Sequence, residues 1–346
     1  MIVKIPGDIL IGIAVSLYQQ RRATWFVGLL LILCSPYSVA VEPLRVVVVS
    51  DLNGSYGSTK YGATVDKAIT RVVQLRPALV ISTGDMVAGQ RKPHLQQDTI
   101  EHMWHAFHKH ISDPLGKASI PFAVTPGNHD ASAYSGFGKE RRIYLEQWSN
   151  RRPDLQFLDD SNYPFYYAFS LQGVLFVSLD ATVVGPLPDV QRQWLKKVLE
   201  KHADSHHKRV VFSHIPLWPT ARGREREFMG DQEFQVLLEE HKVNVFLSGH
   251  HHAFYPGGDN GVAYISQSCL GAGPRALIGV NEKAQRSFTV LDISDDSIEV
   301  AAYVAPNFTR TIDWKTLPTE VRSTVSSLQR LDMLSPSIGV AEARQN

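Results

Sequence analysis

The chain alternates short runs of β-branched and other apolar residues with longer segments in which apolar positions recur every three to four residues. The short runs predict buried strands over residues 44–50, 78–82, 122–125, 210–213 and 243–248. The longer segments predict helices over residues 64–75, 96–111, 190–202 and 234–241. Strands that alternate with helices in this way are typical of an α/β protein.

Two other regions have strands without helices between them. Residues 166–170 and 174–179 predict a hairpin that turns at Gln172 and Gly173. Residues 262–267, 288–293 and 298–303 predict antiparallel strands near the C-terminus. Together these patterns predict two packed sheets with helices outside them. Beyond the last strand, residues 311–346 are predicted to form a C-terminal helix, at about 317–331, and a polar tail.

The first 40 residues have a pattern of their own. Arg21 and Arg22 precede an apolar core over residues 25–34, and residues 38–40 are Ser-Val-Ala. A positive flank, a short apolar core and small residues are typical of an export signal. We therefore predict a signal over residues 1–40, a periplasmic or secreted protein, and no membrane span in the mature chain. An uncleaved membrane anchor is the alternative, which an earlier apolar stretch over residues 9–17 supports.

Composition limits the classes of partner. The chain has 346 residues, of which 44% are hydrophobic and 20% charged, as in ordinary globular proteins. This length fits one large domain with appendages, and we assign that domain to residues 41–310. A net charge of +1 gives no reason to expect a nucleic-acid partner. Cys34 lies within the predicted signal, so Cys269 has no intramolecular partner and is predicted to be a small buried residue.

Residues that can bind metal ions follow five of the predicted strands. They are Asp51, Asp85, Asn128 with His129, His214, and His250 with His252. Because strand ends of an α/β sheet meet at one edge, we expect these side chains to lie close together. His250 and His252 are two residues apart and are expected to face the same side, whereas His251 points away.

The ligand types indicate the chemistry. Carboxylate oxygens, an amide oxygen and imidazole nitrogens suit borderline to hard ions such as Mn, Fe or Zn, and thiolates are missing. The set is too large for one tetrahedral ion and suits two ions that share a carboxylate. Two such ions can activate water and bind both the attacking and the leaving oxygen of an in-line displacement. Hydrolysis of phosphate esters is the main reaction of this kind.

In their order along the chain, these motifs resemble the calcineurin-like metallophosphoesterases, which include purple acid phosphatases and cyclic-nucleotide phosphodiesterases. The matching residues are Asp51-Leu52-Asn53, Gly84-Asp85, Gly127-Asn128-His129-Asp130, His214 and Gly249-His250-His251-His252. The resemblance covers about residues 44–303. It implies a four-layer α/β/β/α sandwich of two mixed sheets flanked by helices.

The resemblance also implies roles for individual residues. The first of two divalent ions would be held by Asp51, Asp85 and His252, and the second by Asn128, His214 and His250, with Asp85 bridging them. His129 would act as general acid or stabilise transition-state charge near the leaving group. A metal-bridging hydroxide would be the nucleophile.

Two positions depart from the superfamily pattern. The superfamily usually has His two residues after the first Asp, where this chain has Asn53. Its amide oxygen is expected to bind the first ion more weakly, or to favour a harder ion such as Mn. Ala88 stands where purple acid phosphatases have Tyr and protein phosphatases have an Asp that pairs with the catalytic His. The purple chromophore is therefore not expected, and Asp130 and Asp180 are the candidates to orient His129.

Three other features are less specific. Arg222, Arg224 and Arg226 form either a basic surface loop or a phosphate clamp. Residues 131–163, rich in Gly, Arg, Tyr and Ser, predict a surface insertion over the site that shapes substrate choice. Four histidines crowd the predicted helix over residues 96–111, where a solvated or groove-facing helix is favoured over another metal site. They are His102, His105, His108 and His110.

The sequence as a whole predicts an exported, metal-dependent phosphoesterase that acts on a phosphorylated small molecule. It does not choose between phosphomonoesters and phosphodiesters. The alternative is a non-catalytic member of the superfamily that binds a phosphorylated ligand or a protein partner. Asn53 is the feature that favours this alternative.

Overall fold

The computed structural model describes residues 42–334, so the predicted export signal and residues 335–346 of the predicted tail lie outside it. The helices of the described chain are α1 (Ala63–Leu75), α2 (Gln97–Phe107), α3 (Asp113–Lys117), α4 (Asn128–Ala131), α5 (Gly138–Ser149), α6 (Asp189–His202) and α7 (Gln232–Glu240). A π-helical turn, His108–Ser112, joins α2 to α3. Single 3₁₀ turns occur at Ala203–Ser205, Trp314–Thr316 and Leu331–Met333. Within these residues no helix has both the length and the apolar character needed to span a bilayer.

The strands form two mixed sheets. The strands are β1 (Leu44–Val49), β2 (Leu79–Ser82), β3 (Phe122–Val124), β4 (Gln156–Asn162), β5 (Tyr166–Leu171), β6 (Val174–Ser178), β7 (Lys208–Ser213), β8 (Val245–Ser248), β9 (Tyr255–Asp259), β10 (Val262–Ser266), β11 (Ser287–Ile293), β12 (Ile298–Val304), β13 (Glu320–Arg322) and β14 (Ser327–Arg330). The smaller sheet has the order β12-β11-β1-β2-β3, and the larger has β13-β14-β9-β10-β8-β7-β6-β5-β4.

The alternation of side chains along the central strands produces four layers. In β1, Val46 and Val48 pack between the sheets, whereas Val47 and Val49 pack under α1 and α2. In β7, Phe212 faces the other sheet and Val211 packs under α6 and α7. Each fully buried valine contributes about 1.5–3 kcal/mol relative to an exposed one. The predicted four-layer α/β/β/α sandwich is confirmed.

Parallel pairing places the functional motifs at one edge of each sheet. In the smaller sheet β1, β2 and β3 run parallel, and in the larger sheet β6, β7, β8 and β10 run parallel. The carboxyl ends of β1, β2, β3, β7 and β8 therefore deliver the five motifs that the sequence singled out. β10 differs from expectation because it pairs parallel with β8 as well as antiparallel with β9.

Residues 317–331 form strands β13 and β14 instead of the predicted helix. Val321, Val325 and Leu328 have helical spacing in the sequence. In the structure, however, Val321 pairs with Leu328 across the two strands, and both are buried in the larger sheet's outer cluster. Val325 lies between the two strands and is 66% exposed. Pairing of β14 with β9 extends the sheet and thereby overrides the local pattern.

Much of the segment 131–163 belongs to the framework, in contrast to the predicted surface insertion. Helix α5 buries Ile143, Tyr144 and Trp148 in the cluster beneath the smaller sheet. Strand β4 pairs with β5 at an edge of the larger sheet. The polar sequence of β4 hid this strand, because an edge strand needs little apolar surface.

Candidate metal centre

The loops after the central strands turn through unusual backbone conformations. Asp51, Asp85, His250 and His252 have φ angles of 50°, 56°, 64° and 55°. The left-handed region is uncommon for residues with a side chain, although Asp and His occupy it more often than most. Such conformations cluster at functional sites, where the surrounding structure maintains them. Here they direct predicted ligands from both sheets towards a common edge.

The first group of donor atoms consists of Asp51, Asp85 and His252. One ligand atom from each lies within 4.8 Å of the others. His252 Nδ1 donates to the carbonyl of Gly273 at 2.9 Å, which leaves the lone pair on Nε2. That Nε2 lies 2.9 Å from Asp51 Oδ1, yet Asp51 Oδ1 has no hydrogen-bond partner among the described residues. A cation bound by both His252 Nε2 and Asp51 Oδ1 would satisfy this buried carboxylate oxygen.

Asn53 brings a second unpaired oxygen to this part of the edge. Its backbone N–H donates to the carbonyl of Asp85 at 3.1 Å, and its side chain is buried. Its Nδ2 donates weakly to the carbonyl of Val87 at 3.4 Å, while its Oδ1 has no partner within residues 42–334. Buried amide oxygens are nearly always hydrogen-bonded, and Asn53 Oδ1 is an exception. Its lone pairs are therefore available to bind a metal ion.

The second group consists of Asn128, His214 and His250. Asn128 Oδ1 lies 2.8 Å from His214 Nε2 and 3.1 Å from His250 Nδ1. Each ligand is held from outside the group, since Asn128 Nδ2 donates to Gln90 and His214 Nδ1 donates to the carbonyl of Thr83. Burial and the neighbouring His214 hold the pKa of His250 well below its usual range, which keeps its imidazole neutral.

Asp85 connects the two groups. It belongs to the first group, and its Oδ1 lies 3.4 Å from His214 Nε2 of the second. Burial alone would raise the pKa of Asp85, but the charges of His214 and His129 hold that pKa well below its ordinary value. Gly127 makes this position possible, because a Cβ there would lie 2.1 Å from the backbone nitrogen of Asp85.

His129 is oriented by a residue that the sequence did not reveal. Its Nδ1 donates to the carbonyl of Gly89 at 2.9 Å, and its Nε2 lies 3.9 Å from Asp85 Oδ2. Neither predicted candidate orients it. Asp130 accepts from the backbone N–H groups of residues 86, 87 and 127. Asp180 pairs with Arg141.

The ring of Tyr56 lies beside His129 at the mouth of the site. The two ring centroids are 5.1 Å apart, and Tyr56 is 56% exposed. Tyr56 therefore adds an exposed apolar surface next to His129.

The three arginines of the loop after β7 have different environments. Arg222 and Arg226 are exposed, and Arg222 donates to Asn281. Arg224 is only partly exposed and pairs with Glu227. The charges of Asp51 and Asp85 also act on its guanidinium. Of the two alternatives for this loop, a basic surface fits the exposed Arg222 and Arg226, and a phosphate clamp stays a prediction for Arg224 alone.

The other histidines and Cys269 do not join the two groups. His251 points away as expected, towards Thr220, and burial lowers its pKa to about 3 with help from Arg224. His108 is buried between Ser112 and Gln147 rather than solvated, and His110 pairs with Asp66. Cys269 is a free, buried thiol, as predicted.

Comparisons with known proteins identify the family of the chain. The model of the calcineurin-like phosphoesterase family matches residues 44–254. The chain is 27% identical to purple acid phosphatase 23 of Arabidopsis thaliana over 231 residues. This match covers 61% of the chain and 47% of that phosphatase. It is also 26% identical to a probable cyclic nucleotide phosphodiesterase of Psychrobacter sp. (strain PRwf-1) over 163 residues. That match covers 45% of the chain and 41% of the phosphodiesterase. The chain thus spans less than half the length of these curated relatives.

A solved structure shares the fold. The dimetal phosphatase from Danio rerio superimposes with a TM-score of 0.53 at 16% sequence identity, over 79% of this chain and 98% of that one. At 16% sequence identity this likeness concerns the fold alone.

Proposed function

The chain belongs to the calcineurin-like phosphoesterase family, and on that premise we propose that it hydrolyses phosphate esters of small molecules with the help of two divalent metal ions. The substrate class includes phosphomonoesters and phosphodiesters, since the similar proteins include a purple acid phosphatase and a probable cyclic nucleotide phosphodiesterase.

One observation carries the proposal: two groups of donor atoms share the carboxylate of Asp85. The first ion would be held by Asp51, Asp85, His252 and the amide oxygen of Asn53, and the second by Asp85, Asn128, His214 and His250. The unpaired oxygens of Asp51 and Asn53 fit this assignment. Oxygen and imidazole donors without thiolate suit Mn, Fe or Zn. When bound, two such ions supply a nucleophile from water at neutral pH and neutralise charge on the phosphoryl group.

The chain's own residues supply the remaining chemistry. His129 is fixed through Nδ1, so its Nε2 is the atom that can give a proton to the leaving oxygen. Arg224 interacts electrostatically with Asp51 and Asp85, so its guanidinium is the proposed contact for the non-bridging oxygens of a bound phosphate. His129 and Arg224 would orient the ester relative to the metal edge and stabilise the charge that develops during displacement.

The proposal is tested by assaying the purified protein against p-nitrophenyl phosphate and bis(p-nitrophenyl) phosphate with Mn, Fe or Zn and after chelation. We expect metal-dependent release of p-nitrophenol that chelation abolishes and added metal restores. The ratio of the two rates assigns the protein as a monoesterase or a diesterase. No turnover with any of the metals, together with retained binding of phosphate, would support the non-catalytic alternative.

We also propose that the protein is exported to the periplasm or secreted. The support is the arrangement of charge, apolar core and small residues over positions 1–40. Cell fractionation followed by N-terminal sequencing tests this proposal, with a mature chain that begins at Val41 as the expected result. A chain found intact in the membrane fraction would instead identify the segment as an anchor.

A further inference from the structure

We propose that Glu227 is a positioning residue for the second metal ion, which it prepares by fixing the tautomer and orientation of His250. This inference rests on the proposed function, since it concerns one of the proposed ligands. Glu227 lies in the loop after β7, 23 residues before His250, and no sequence motif connects the two. Its Oε2 lies 2.9 Å from His250 Nε2.

The contact determines which nitrogen of His250 carries the proton. Glu227 Oε2 and Asn128 Oδ1 both only accept hydrogen bonds, and a neutral imidazole has one proton to donate. The carboxylate is the stronger acceptor, so we assign that proton to His250 Nε2, which donates to Glu227. The lone pair then resides on Nδ1, which faces Asn128 Oδ1 at 3.1 Å within the second group. His250 is only 6% exposed, so solvent has little access to its ring. Carboxylate–histidine contacts of this kind orient metal ligands and raise their basicity.

The loop around Glu227 is itself held in place. His251 Nδ1 accepts from the backbone N–H and the hydroxyl of Thr220 at 3.1 and 2.9 Å. His251 Nε2 donates to the main-chain carbonyl of Glu227 at 2.9 Å. The histidine that does not face the metal edge therefore attaches the loop to the strand end that carries His250. Of the three consecutive histidines, His250 and His252 are thus proposed metal ligands, and His251 holds the loop that contains Glu227.

A simple ion pair between Glu227 and Arg224 is the plainer interpretation, because the two side chains are in contact. It does not account for the second contact of the same Oε2 with a nearly buried imidazole, nor for the main-chain contact to His251. Arg224 instead offsets the charge of Glu227, so that a carboxylate can lie next to the metal edge without adding a full negative charge there.

Three variants distinguish these interpretations: Glu227→Ala, which removes the acceptor, Glu227→Gln, which keeps a neutral acceptor, and Glu225→Gln as the control on the same loop. Long-range ¹H–¹⁵N NMR spectra of the metal-free protein report the tautomer of His250. We expect the Nε2–H tautomer in the wild type and in Glu225→Gln, and a mixture of tautomers in Glu227→Ala. Unfolding curves of each metal-free variant verify that the fold is retained.

Titration with Mn supplies the second measurement. The affinity for one of two ions is expected to fall about 10- to 100-fold in Glu227→Ala, with a smaller fall in Glu227→Gln and none in Glu225→Gln. The affinity for the other ion should stay within about twofold. Unchanged binding of both ions in Glu227→Ala would overturn the inference.

The two measurements also separate this inference from the proposed function. If the wild type takes up no metal, the proposed function fails, and the NMR spectra alone decide on Glu227. A wild-type His250 that already populates both tautomers would then overturn the positioning role, and a single Nε2–H tautomer that is lost in Glu227→Ala would support it.

Discussion

The two groups of donor atoms lie at the same edge but are stabilised in different ways. In the second group, Asn128, His214 and His250 contact one another and each is bound from outside by another residue. In the first group, the Oδ1 atoms of Asp51 and Asn53 are buried and have no hydrogen-bond partner among the residues that the structure describes. All three residues of the second group are therefore prearranged by hydrogen bonds. In the first group His252 is held by Gly273, but two buried oxygens are left for a cation to satisfy.

This difference indicates how metal uptake divides between the groups. Outer hydrogen bonds fix the side-chain orientations of the second group and so reduce the rearrangement that binding requires. The first group combines two carboxylates with the amide of Asn53, a set that suits a harder ion. We therefore expect two binding steps with different ion preferences, joined through Asp85.

The largest expected effect follows from removing the shared residue. Asp85→Ala deletes a ligand from both groups, so we expect loss of both ions and a fall in kcat/KM of about 10⁴-fold, equivalent to ~5.5 kcal/mol. Metal analysis and hydrolysis of p-nitrophenyl phosphate check this. Asp295→Ala, at an exposed carboxylate that pairs with His207, is the control. Retention of one tightly held ion would show that Asp85 serves one group alone.

Replacing His129 should separate proton donation from metal binding. In His129→Asn both ions are expected to remain, while kcat for phenyl phosphate falls about 10²- to 10³-fold because its leaving group needs a proton. The loss should be markedly smaller for p-nitrophenyl phosphate, whose leaving group is more acidic. Equal losses for the two esters would argue that His129 stabilises charge without donating a proton.

Changing Asn53 should act on the first group alone. In Asn53→His an imidazole replaces the amide, so we expect about tenfold tighter binding of Zn, or ~1.4 kcal/mol, and a reduced preference for Mn. Calorimetric titration with each metal measures this. Asn260→His, on an exposed turn, is the control for an added histidine. A change confined to the second ion would place Asn53 outside the first group.

The smallest effect on the site is expected from His108, a histidine outside both groups. Burial lowers its pKa to about 4, below the unfolded value of about 6.5. The unfolded chain therefore takes up a proton as the pH falls through 6.5, and the native state does so only near pH 4. Stability should consequently fall by about 2 kcal/mol between pH 7 and pH 5 on account of this residue.

Urea unfolding of the wild type and His108→Gln at both pH values isolates that contribution. The variant should lose about 2 kcal/mol less over this range and bind metal as the wild type does. Parallel pH profiles for the two proteins would contradict the assignment of a buried, neutral His108.

The sequence predicts those features that depend on short stretches of chain. Apolar runs located β1, β2, β3, β7 and β8, and the polar residues after them lie at one edge because parallel strands share that edge. Strand β9 was missed because Pro256, Gly257 and Gly258 interrupt its apolar pattern. Strands β13 and β14 were missed because the pairing of β14 with β9, to which β13 is joined through β14, is a tertiary effect.

Within the site, the proposed ligands could be found from the sequence but their supports could not. Gly89 orients His129 through its main-chain carbonyl, a group that every residue has, so the sequence does not identify it. Gln90 and Glu227 reach Asn128 and His250 from 38 and 23 residues away. Contacts over such separations become visible only when the fold is known.

The most direct test of the central claim, two ions joined through Asp85, is electron paramagnetic resonance of the Mn-loaded protein together with metal analysis. We predict two Mn ions per chain and a spectrum of an exchange-coupled pair, which Asp85→Ala abolishes. One ion per chain, or two ions with the spectrum of isolated Mn, would contradict the account.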